Sequence, residues 1–345
     1  MKPVLVTGGA GFFGGLLKQR LLKDGAAVVS LDLEPDDTNH PQLTSIRGDL
    51  GNRELVEGLC ERYRFETVYH CAAILAHAVK DKTVLWRANV EGTRNLAECA
   101  KQSGTRHFVF ISSNCLWGHG LGRPVREDDA PNPVEIYGQS KWEAEKILGA
   151  CSGNMNVSIL RSPTIIDEGR LGLLTILFDF IREGRKVWMI GNGTNRYQFI
   201  YAQDLIDACL RAAGAGVSNT FNIGSDDVKP LRDVFQFVID KAQSRSRIVL
   251  LPKTPMLAGM KFAYALGLSP LGPYQYKMIA EDFVFETGKI KASLGWKPTV
   301  TNEQMLWLAY RYYNDNIREI SARTHVSAHR QAAKMGIIRL LKWLS

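Results

Sequence analysis

The chain has 345 residues, 45% of them apolar and 23% charged, which excludes an intrinsically disordered or low-complexity protein. At this length we expect two closely packed lobes and a further segment. The net charge of +8 is concentrated at the end of the chain, because residues 316–345 carry a net +5 and leave +3 for the body, which excludes a general nucleic-acid-binding surface.

The six cysteines form no CxxC pair and no close Cys/His cluster, so the sequence predicts neither a metal site nor a disulfide framework. Reduced thiols favour a cytoplasmic location. The first residues, MKPVLVTGG, enter a strand directly and lack the pattern of a signal peptide. The most apolar run, LGLLTILFDFI, is interrupted by Asp179 and falls short of the roughly 18 residues of a membrane span.

The first predicted elements are a strand, a glycine-rich turn, a helix and a second strand, in VLVTGGAGFFGGLLKQRLLKDG and the following AVVSLDL. Gly8 permits the tight turn, Gly11 lets the backbone approach a diphosphate, and Gly14 allows the helix to pack on the strand. Asp32 ends the second strand, where a carboxylate accepts both ribose hydroxyls and repels a 2′-phosphate. The unit predicts a dinucleotide site that favours NAD over NADP; the alternative is that Asp32 is only a turn residue.

Further predicted strands alternate with helices: strands TSIRGDL and TVYHCAA, helix RANVEGTRNLAECAKQSG, strand HFVFISS, helix GQSKWEAEKILGAC and strand NVSILRS. This alternation predicts an α/β fold with a Rossmann-type, doubly wound parallel sheet. Ligands then bind beyond the carboxyl ends of the strands, where Ser112 and Ser113 are expected. His70, within a strand, is interpreted as a packed side chain rather than a base.

The segment YGQSK places Tyr137 and Lys141 four residues apart at the start of a helix, so both project from one face. An ammonium beside a phenol stabilises the phenolate and is expected to bring the phenol pKa from about 10 towards neutrality. Ser113 could hold a substrate oxygen between itself and Tyr137. This is the apparatus for oxidising an alcohol while hydride passes to a nicotinamide; the alternative is a solvent-exposed phenol and amine.

Together these motifs resemble the extended short-chain dehydrogenase/reductase family, including its NAD-dependent nucleotide-sugar epimerases and dehydratases. The resemblance covers about the first 315 residues. The matching motifs are TGGAGFFGG at 7–15, Asp32, GDL at 48–50, HCAA at 70–73, NVEGT at 89–93, Ser113, Tyr137 with Lys141, LRSP at 160–163, FIYAQDL at 199–205, FNIGS at 221–225 and LGWKP at 294–298.

The resemblance implies a bound NAD and a set of residues that contact it. These are Gly8, Gly11, Phe12, Phe13, Gly14, Asp32, Asp49, Leu50, Cys71, Ala72, Ala73, Asn89, Tyr137, Lys141 and Pro163. It further implies that Lys141 bonds the nicotinamide ribose and that the backbone near Pro163 meets the carboxamide. The helices that begin with RANVEGT and YGQSK are expected to form a homodimer.

The resemblance also implies a division into lobes. Residues 1–165, completed by about 197–224, form the NAD-binding domain, and residues 166–196 and 225–312 form a smaller, mostly C-terminal substrate lobe. The apolar stretch 251–276 is either a helix that caps the pocket, the more usual arrangement, or an exposed patch for an apolar substrate. The helix NEQMLWLAYRYYNDNI is expected to pack its apolar face on that lobe.

Several positions depart from the family pattern. LWG at 116–118 carries Trp117 in place of a tyrosine, and TIID at 164–167 replaces a common motif, which indicates an uncommon substrate pocket. Nucleotide-sugar enzymes usually have a phosphate-binding arginine two residues before FIY, but this chain has Tyr197 there. Arg196 is the candidate substrate-binding residue in its place, with Arg185 and Lys186 as alternatives.

Cys115, in SSNCLW, has two interpretations. It stands where the 4,6-dehydratases carry an acid, so dehydration is disfavoured, and the segment resembles that of GDP-mannose 3,5-epimerases, in which a cysteine exchanges a proton beside a transient ketone. A thiol near a cationic cofactor can ionise, so Cys115 is a candidate catalytic residue. Packing as a small buried hydrophobe is the favoured interpretation.

The tail, residues 313–345, mixes apolar and basic residues in HRQAAKMGIIRLLKWLS. That composition suits peripheral contact with an anionic membrane surface, and docking on the chain's own body or on a partner subunit is the alternative.

Three functions are weighed. The leading one is an NAD-dependent epimerase of a nucleotide sugar in cell-surface glycan biosynthesis. The alternative is a 3β-hydroxysteroid-type dehydrogenase acting on a sterol or other lipid alcohol, favoured by the stretch 251–276 and the missing phosphate-binding arginine. The third is a non-catalytic NAD-sensing protein or scaffold.

Overall fold

The computed structural model describes residues 2–76, 79, 81–151, 153, 155–172, 174–266 and 280–322. The tail beyond residue 322, and residues 267–276 of the apolar stretch, lie outside the described residues. Their predicted roles are therefore predictions from the sequence alone. Within the described ranges, no helix is long and apolar enough to cross a membrane.

The described chain alternates strands and helices. The strands are β1 (Val4–Thr7), β2 (Val28–Asp32), β3 (Leu43–Arg47), β4 (Thr67–His70), β5 (His107–Ser113), β6 (Asn156–Ser162), β7 (Thr164–Ile166), β8 (Val187–Ile190), β9 (Phe199–Tyr201), β10 (Asn219–Asn222) and β11 (Ile248–Leu251). The helices are α1 (Phe12–Lys23), α2 (Arg53–Tyr63), α3 (Lys82–Trp86), α4 (Gly92–Gln102), α5 (Ile136–Cys151), α6 (Leu174–Arg182), α7 (Ala202–Gly214), α8 (Leu231–Lys241), α9 (Lys253–Ala265), α10 (Gly288–Leu294), α11 (Asn302–Asp315) and α12 (Ile317–Ala322). A π-helical turn (Arg87–Glu91) joins α3 to α4, and a 3₁₀ turn (Asn114–Leu116) follows β5.

The central sheet has seven strands in the order β3-β2-β1-β4-β5-β6-β10. All its pairings are parallel. The chain runs outward from β1 through β2 to β3 and then returns to place β4 on the other side of β1. This reversal opens a crevice at the carboxyl ends of β1 and β4, the usual ligand site of such sheets. The predicted α/β fold with a doubly wound parallel sheet is confirmed.

Helices cover both faces of the sheet. On one face, Leu17 of α1 and Leu205 of α7 belong to one buried cluster; on the other, Leu96 of α4 and Ala144 of α5 belong to a second. Strand residues alternate between these clusters, as Phe108 and Val109 of β5 do. The inner strands β1, β2, β4, β5 and β6 are buried on both faces, which accounts for their runs of consecutive apolar residues, whereas the edge strand β3 is only partly buried.

A separate core lies beyond the sheet. It packs Phe178 of α6, Val234 of α8 and Leu306 of α11 together, and two parallel strand pairs, β7 with β9 and β8 with β11, flank it. The apolar face of α11 is buried here, as predicted. Strand β10, within the predicted completing segment 197–224, joins the main sheet. The boundaries drawn for the two lobes stay a prediction.

Helix α9 carries the described part of the apolar stretch. Between Lys253 and Ala263 none of its side chains is buried, and Phe262 is 68% exposed. The described part of this helix is therefore an exposed, partly apolar surface, and both predicted roles of the stretch 251–276 stay predictions.

Candidate active site

The glycine-rich turn is packed too closely for side chains. Gly8 has φ +73°, and an added Cβ there would lie 2.8 Å from the Ala72 nitrogen. A Cβ at Gly14 would lie 2.1 Å from the Gly8 carbonyl oxygen. Gly11 is the N-cap of helix α1, which begins at Phe12 and has no side-chain cap. The turn therefore presents backbone N–H groups at a helix N-terminus, which fits a dinucleotide diphosphate.

Asp32 ties this turn to the end of β2. Its carboxylate accepts hydrogen bonds from the backbone N–H of Ala10 at 2.9 Å and of Glu34 at 3.1 Å. Both carboxylate oxygens are thus held at the end of the strand with lone pairs to spare. The position suits the predicted contact with ribose hydroxyls.

Asp49 and Leu50 follow β3 and border the same edge of the sheet. The Asp49 carboxylate accepts a hydrogen bond from the Gly51 backbone N–H at 2.8 Å. It also forms an ion pair with Arg87 of the π-helical turn, at 2.8 Å. Leu50 is buried, and its carbonyl accepts from Asn95 at 3.0 Å. The two residues are fixed in place; their predicted contact with the adenine stays a prediction.

Asn89 lies in the π-helical turn and uses its amide within the protein. Its Oδ1 accepts from the Ile74 backbone at 2.7 Å, and its Nδ2 donates to the Ile74 carbonyl and to Ser140 Oγ, both at 3.0 Å. With both amide hydrogens used, Asn89 ties the segment that carries Cys71, Ala72 and Ala73 to helix α5. Any contact it makes with a cofactor would be additional to these bonds.

His70 is confirmed as a packed strand residue. Its Nδ1 lies 2.7 Å from Thr7 Oγ1 and its Nε2 lies 2.9 Å from Thr93 Oγ1. Burial, with a smaller contribution from the Lys141 charge, lowers the pKa of His70 to about 3. A neutral imidazole bonded on both nitrogens has no free site with which to act as a base.

Ser113 and Tyr137 meet where β5 ends and α5 begins. Ser113 is buried, and its hydroxyl lies close enough to Tyr137 to lower the pKa of that phenol. The same Oγ accepts from the Cys115 backbone at 3.1 Å. Close packing fixes this junction, since a Cβ at Gly138 would lie 2.1 Å from the Cys115 carbonyl oxygen. The two predicted hydroxyls are therefore brought together by the backbone.

Lys141 lies one turn further along α5 and is 3% exposed. Its Nζ donates to the Ile111 carbonyl at 2.8 Å and lies 4.5 Å from the centre of the Phe110 ring. Burial lowers the pKa of Lys141 to about 8. Its ammonium is thus held under the strand end, close to the place predicted for the nicotinamide ribose.

The pKa of Tyr137 shifts in the direction opposite to the prediction. Burial is the largest effect and raises the pKa, and the neighbouring Cys115 and Glu135 raise it further, while Arg170 and the hydrogen bond from Ser113 lower it. The prediction was wrong for the protein without ligands because desolvation of the phenolate outweighs the favourable charges.

The 3₁₀ turn after β5 holds Asn114 and Cys115. Asn114 donates to the Tyr197 hydroxyl at 2.7 Å, and Tyr197 is itself buried near Thr164 Oγ1, at 3.3 Å. Cys115 is 7% exposed and adjoins Tyr137. Its burial agrees with the packing interpretation, and its place beside Tyr137 leaves the catalytic one open.

A buried ion pair between Arg161 and Glu145 stabilises the place where β5 ends and α5 begins. Arg161 of β6 bonds Glu145 of α5 through Nε at 3.1 Å and Nη2 at 2.8 Å, and both side chains are at most 5% exposed. Ser112 donates to the same carboxylate at 2.5 Å. Trp117 stacks on the guanidinium, with the ring centre 5.3 Å from Cζ. Trp117 is therefore part of the support rather than an exposed pocket wall.

The candidate substrate-binding residue Arg196 is exposed. Its backbone N–H donates to Asp282 at 2.5 Å, and its carbonyl accepts from Phe283 at 2.8 Å. Its predicted role stays a prediction. Pro163, predicted near the carboxamide, is buried directly after β6, where its carbonyl accepts from Ser162 at 2.8 Å.

Two residues near Tyr137 were not found from the sequence. Glu135 is half-buried, and its charge raises the pKa of Tyr137. Arg170, in the turn after β7, lies close enough for its charge to lower that pKa. Neither stands in a spacing pattern with Ser113 or Lys141, so only the folded chain brings them to the site.

Comparison with known proteins agrees with this geometry. A family model described as the NAD dependent epimerase/dehydratase family matches residues 4–224. The uncharacterized protein y4nG of Sinorhizobium fredii is 34% identical over 345 residues, which is 99% of this chain and 86% of that protein. A UDP-glucose 4-epimerase of Mycolicibacterium smegmatis is 31% identical over 242 residues, 64% of this chain and 76% of that one.

Two further similarities extend along most of the chain. A 3-beta-hydroxysteroid dehydrogenase of Mycolicibacterium neoaurum is 27% identical over 340 residues, 90% of this chain and 91% of that one. A solved UDP-glucose 4-epimerase of Thermotoga maritima, with UDP-glucose, has a TM-score of 0.76 and 22% identity, covering 91% of this chain and 99% of that one, and shows the shared fold. The predicted extended short-chain dehydrogenase/reductase membership, the NAD dependence and the enzymatic nature are confirmed at the level of the family. This chain belongs to the NAD dependent epimerase/dehydratase family.

Proposed function

We propose that this enzyme is an NAD-dependent epimerase of a nucleotide sugar that works through a transient keto intermediate. The observation that carries the proposal is the close packing of Ser113 and Tyr137, where β5 ends and α5 begins, beside the buried Lys141 ammonium. The relative named UDP-glucose 4-epimerase supports the substrate class. A part in cell-surface glycan biosynthesis is the role we propose for such a reaction.

The chain supplies the proton transfers and the positioning. NAD, when bound, supplies the acceptor and donor of hydride. Ser113 holds the reacting sugar oxygen, and the Tyr137 oxygen takes the hydroxyl proton as the ketone forms and later returns it. Inversion requires that the keto sugar turn in the pocket before Tyr137 returns the proton.

For Tyr137 to act as a base, ligand binding must lower its pKa. Burial keeps Tyr137 protonated in the protein without ligands, so it can take a proton only when the bound state favours the phenolate. Lys141, whose pKa is lowered to about 8, still carries its proton for most of the time at neutral pH. Together with Arg170, whose charge already lowers the pKa of Tyr137, this ammonium would stabilise that phenolate through the ribose it is proposed to bind.

The test is mass spectrometry of UDP-, GDP- and CDP-sugars incubated with the purified protein and NAD in heavy water. We expect a new epimer from one class, and a loss of about 100-fold or more in kcat for Tyr137→Phe with NAD binding kept. Tyr63→Phe, which removes a hydroxyl at the far end of α2, is the matched control and should keep full activity. If no sugar is converted, the proposal fails.

The same experiment decides the part played by Cys115. An epimer that carries deuterium on carbon indicates proton exchange beside the ketone, and Cys115→Ala should then abolish the incorporation. An epimer without deuterium indicates hydride removal and return alone, and Cys115 is then a packing residue.

The alternative function is a 3β-hydroxysteroid-type dehydrogenase. The relative from Mycolicibacterium neoaurum and the exposed apolar surface of α9 favour it. Such an enzyme would consume NAD stoichiometrically, whereas an epimerase recycles it. Accumulation of NADH with a sterol, and its absence with every nucleotide sugar, would decide for the dehydrogenase.

We also propose that the enzyme is a cytoplasmic homodimer joined through α4 and α5. Trp86, on the adjoining α3, is 36% exposed and suits such an interface. Light scattering after size-exclusion chromatography tests the dimer, and a monomer at micromolar concentration would refute it.

Peripheral membrane contact by residues 313–345 is tested by sedimentation with anionic vesicles.

A further inference from the structure

One half-buried arginine beside the candidate active site has, among the described residues, no partner for part of its hydrogen-bonding capacity. Arg170 closes the turn that begins at Asp167, and its Nε and Nη1 atoms are buried with no hydrogen-bond partner in the described part of the chain. Buried guanidinium N–H groups normally meet an acceptor, because leaving them unpaired costs free energy. The nearby acids are engaged elsewhere: Asp167 accepts from Gln203 at 2.9 Å, and Glu168 pairs with Arg311 at 2.9 Å.

The residues around Arg170 indicate which group could pair with it. The Arg170 Cζ lies 5.9 Å from the centre of the Phe12 ring, and Phe12 is the first residue of α1, directly after the glycine-rich turn. Burial lowers the pKa of Arg170 to about 10, and the nearby Tyr137 and Tyr197 act in the opposite direction. Arg170 therefore lies close both to the helix N-terminus that fits a diphosphate and to Tyr137, the proposed acid/base.

We propose that Arg170 is a diphosphate-binding residue, whose Nε and Nη1 donate to diphosphate oxygens of the bound dinucleotide. The inference rests on the proposed function, which requires NAD. A diphosphate fits because it is the anionic group of a dinucleotide that lies at the N-terminus of the first helix, next to Phe12. The substrate would offer the same chemistry through its own diphosphate, so the source is to be separated experimentally.

The experiment measures binding rather than turnover. Isothermal titration of nucleotide-free wild-type protein and of Arg170→Met uses ADP-ribose, UDP and adenosine as probes. We expect the variant to bind ADP-ribose about 10- to 100-fold more weakly, the loss typical of hydrogen bonds to a charged group, with adenosine unchanged within about twofold. Loss for ADP-ribose alone assigns the cofactor diphosphate, and loss for UDP alone assigns the substrate diphosphate.

Two controls distinguish the loss of a ligand contact from a general structural effect of the substitution. Replacing an uncompensated buried cation by an apolar side chain should leave the melting temperature of the ligand-free protein equal or higher, and should reduce the rise caused by ADP-ribose. Arg311→Met, which removes an exposed arginine paired with Glu168, is the matched control and should bind every probe like wild type.

The inference is overturned if Arg170→Met binds ADP-ribose as tightly as wild type, whether or not UDP binding falls, or if adenosine binding falls equally. A wild-type protein that binds neither NAD nor ADP-ribose would instead refute the proposed function itself.

Discussion

Adding one methyl group at Gly138 should reduce activity strongly while lowering stability only moderately. Gly138 follows Tyr137 in the first turn of α5, and an added Cβ would lie 2.1 Å from the Cys115 carbonyl oxygen and 3.0 Å from Pro133 Cβ. Ordinary contact needs more than about 3 Å, so Gly138→Ala forces α5 and the 3₁₀ turn apart by roughly 1 Å. This displacement moves Tyr137 away from Ser113.

The two consequences differ in size. A displacement of about 1 Å in a catalytic pair costs roughly 100-fold in rate, so we expect kcat of Gly138→Ala to fall by about that factor. Overpacking costs about 1–3 kcal/mol, and alanine in a helix regains about 1 kcal/mol relative to glycine, so the unfolding free energy should fall by no more than about 2 kcal/mol.

Gly149, further along the same helix, provides the matched control, because an added Cβ there meets no atom of the described residues within 4 Å. Gly149→Ala should keep wild-type kcat and gain up to about 1 kcal/mol. Epimerisation rates and urea unfolding of both variants are the assays. If Gly138→Ala keeps kcat within about threefold of wild type, close packing at Cys115 does not set the Ser113–Tyr137 geometry, and the reasoning is refuted.

Three further substitutions test the site. Asp32→Ala removes the ribose acceptor, so steady-state kinetics should show the KM for NAD rising about tenfold or more and the preference for NAD over NADP falling. Glu145→Leu leaves Arg161 buried and unpaired, so urea unfolding should show a loss of about 3–5 kcal/mol, partly recovered by adding Arg161→Met. Because burial lowers the pKa of Lys141 from 10.5 to about 8, the unfolded chain binds more protons between those values and wild-type stability rises with pH there. Lys141→Met lacks this rise, so its stability relative to wild type should fall by up to about 3 kcal/mol between pH 7 and pH 10 in urea unfolding.

The central sheet could be predicted because its signals are local. Strands β1, β4 and β5 are apolar runs bounded by turns, and each is followed by a helix before the next strand, which favours parallel pairing. The pairs β7 with β9 and β8 with β11 could not be predicted in the same way. Their strands have three or four residues and pair across long separations, so the packing of the second core decides them.

The same distinction between local and non-local signals applies to the candidate active site. The glycine-rich turn, Asp32 and the spacing of Tyr137 and Lys141 are properties of short segments, and the sequence contains them whole. The environment of Tyr137 is not local, since burial and the approach of Glu135 and Arg170 raise or lower its pKa only in the folded chain. This is why the predicted direction of that pKa was wrong although the residue itself could be identified.

The two sides of the site are held by different kinds of contact. On the sheet side, backbone groups and a buried ion pair fix Ser113 and Tyr137, so most changes there should reduce any reaction of the family. On the other side, Tyr197 and Arg170 reach the site as single side chains, each on a short segment beside the second core. Selection for a new substrate can therefore alter Tyr197 while the chemistry is left intact, which makes it the first position to exchange in a change of specificity.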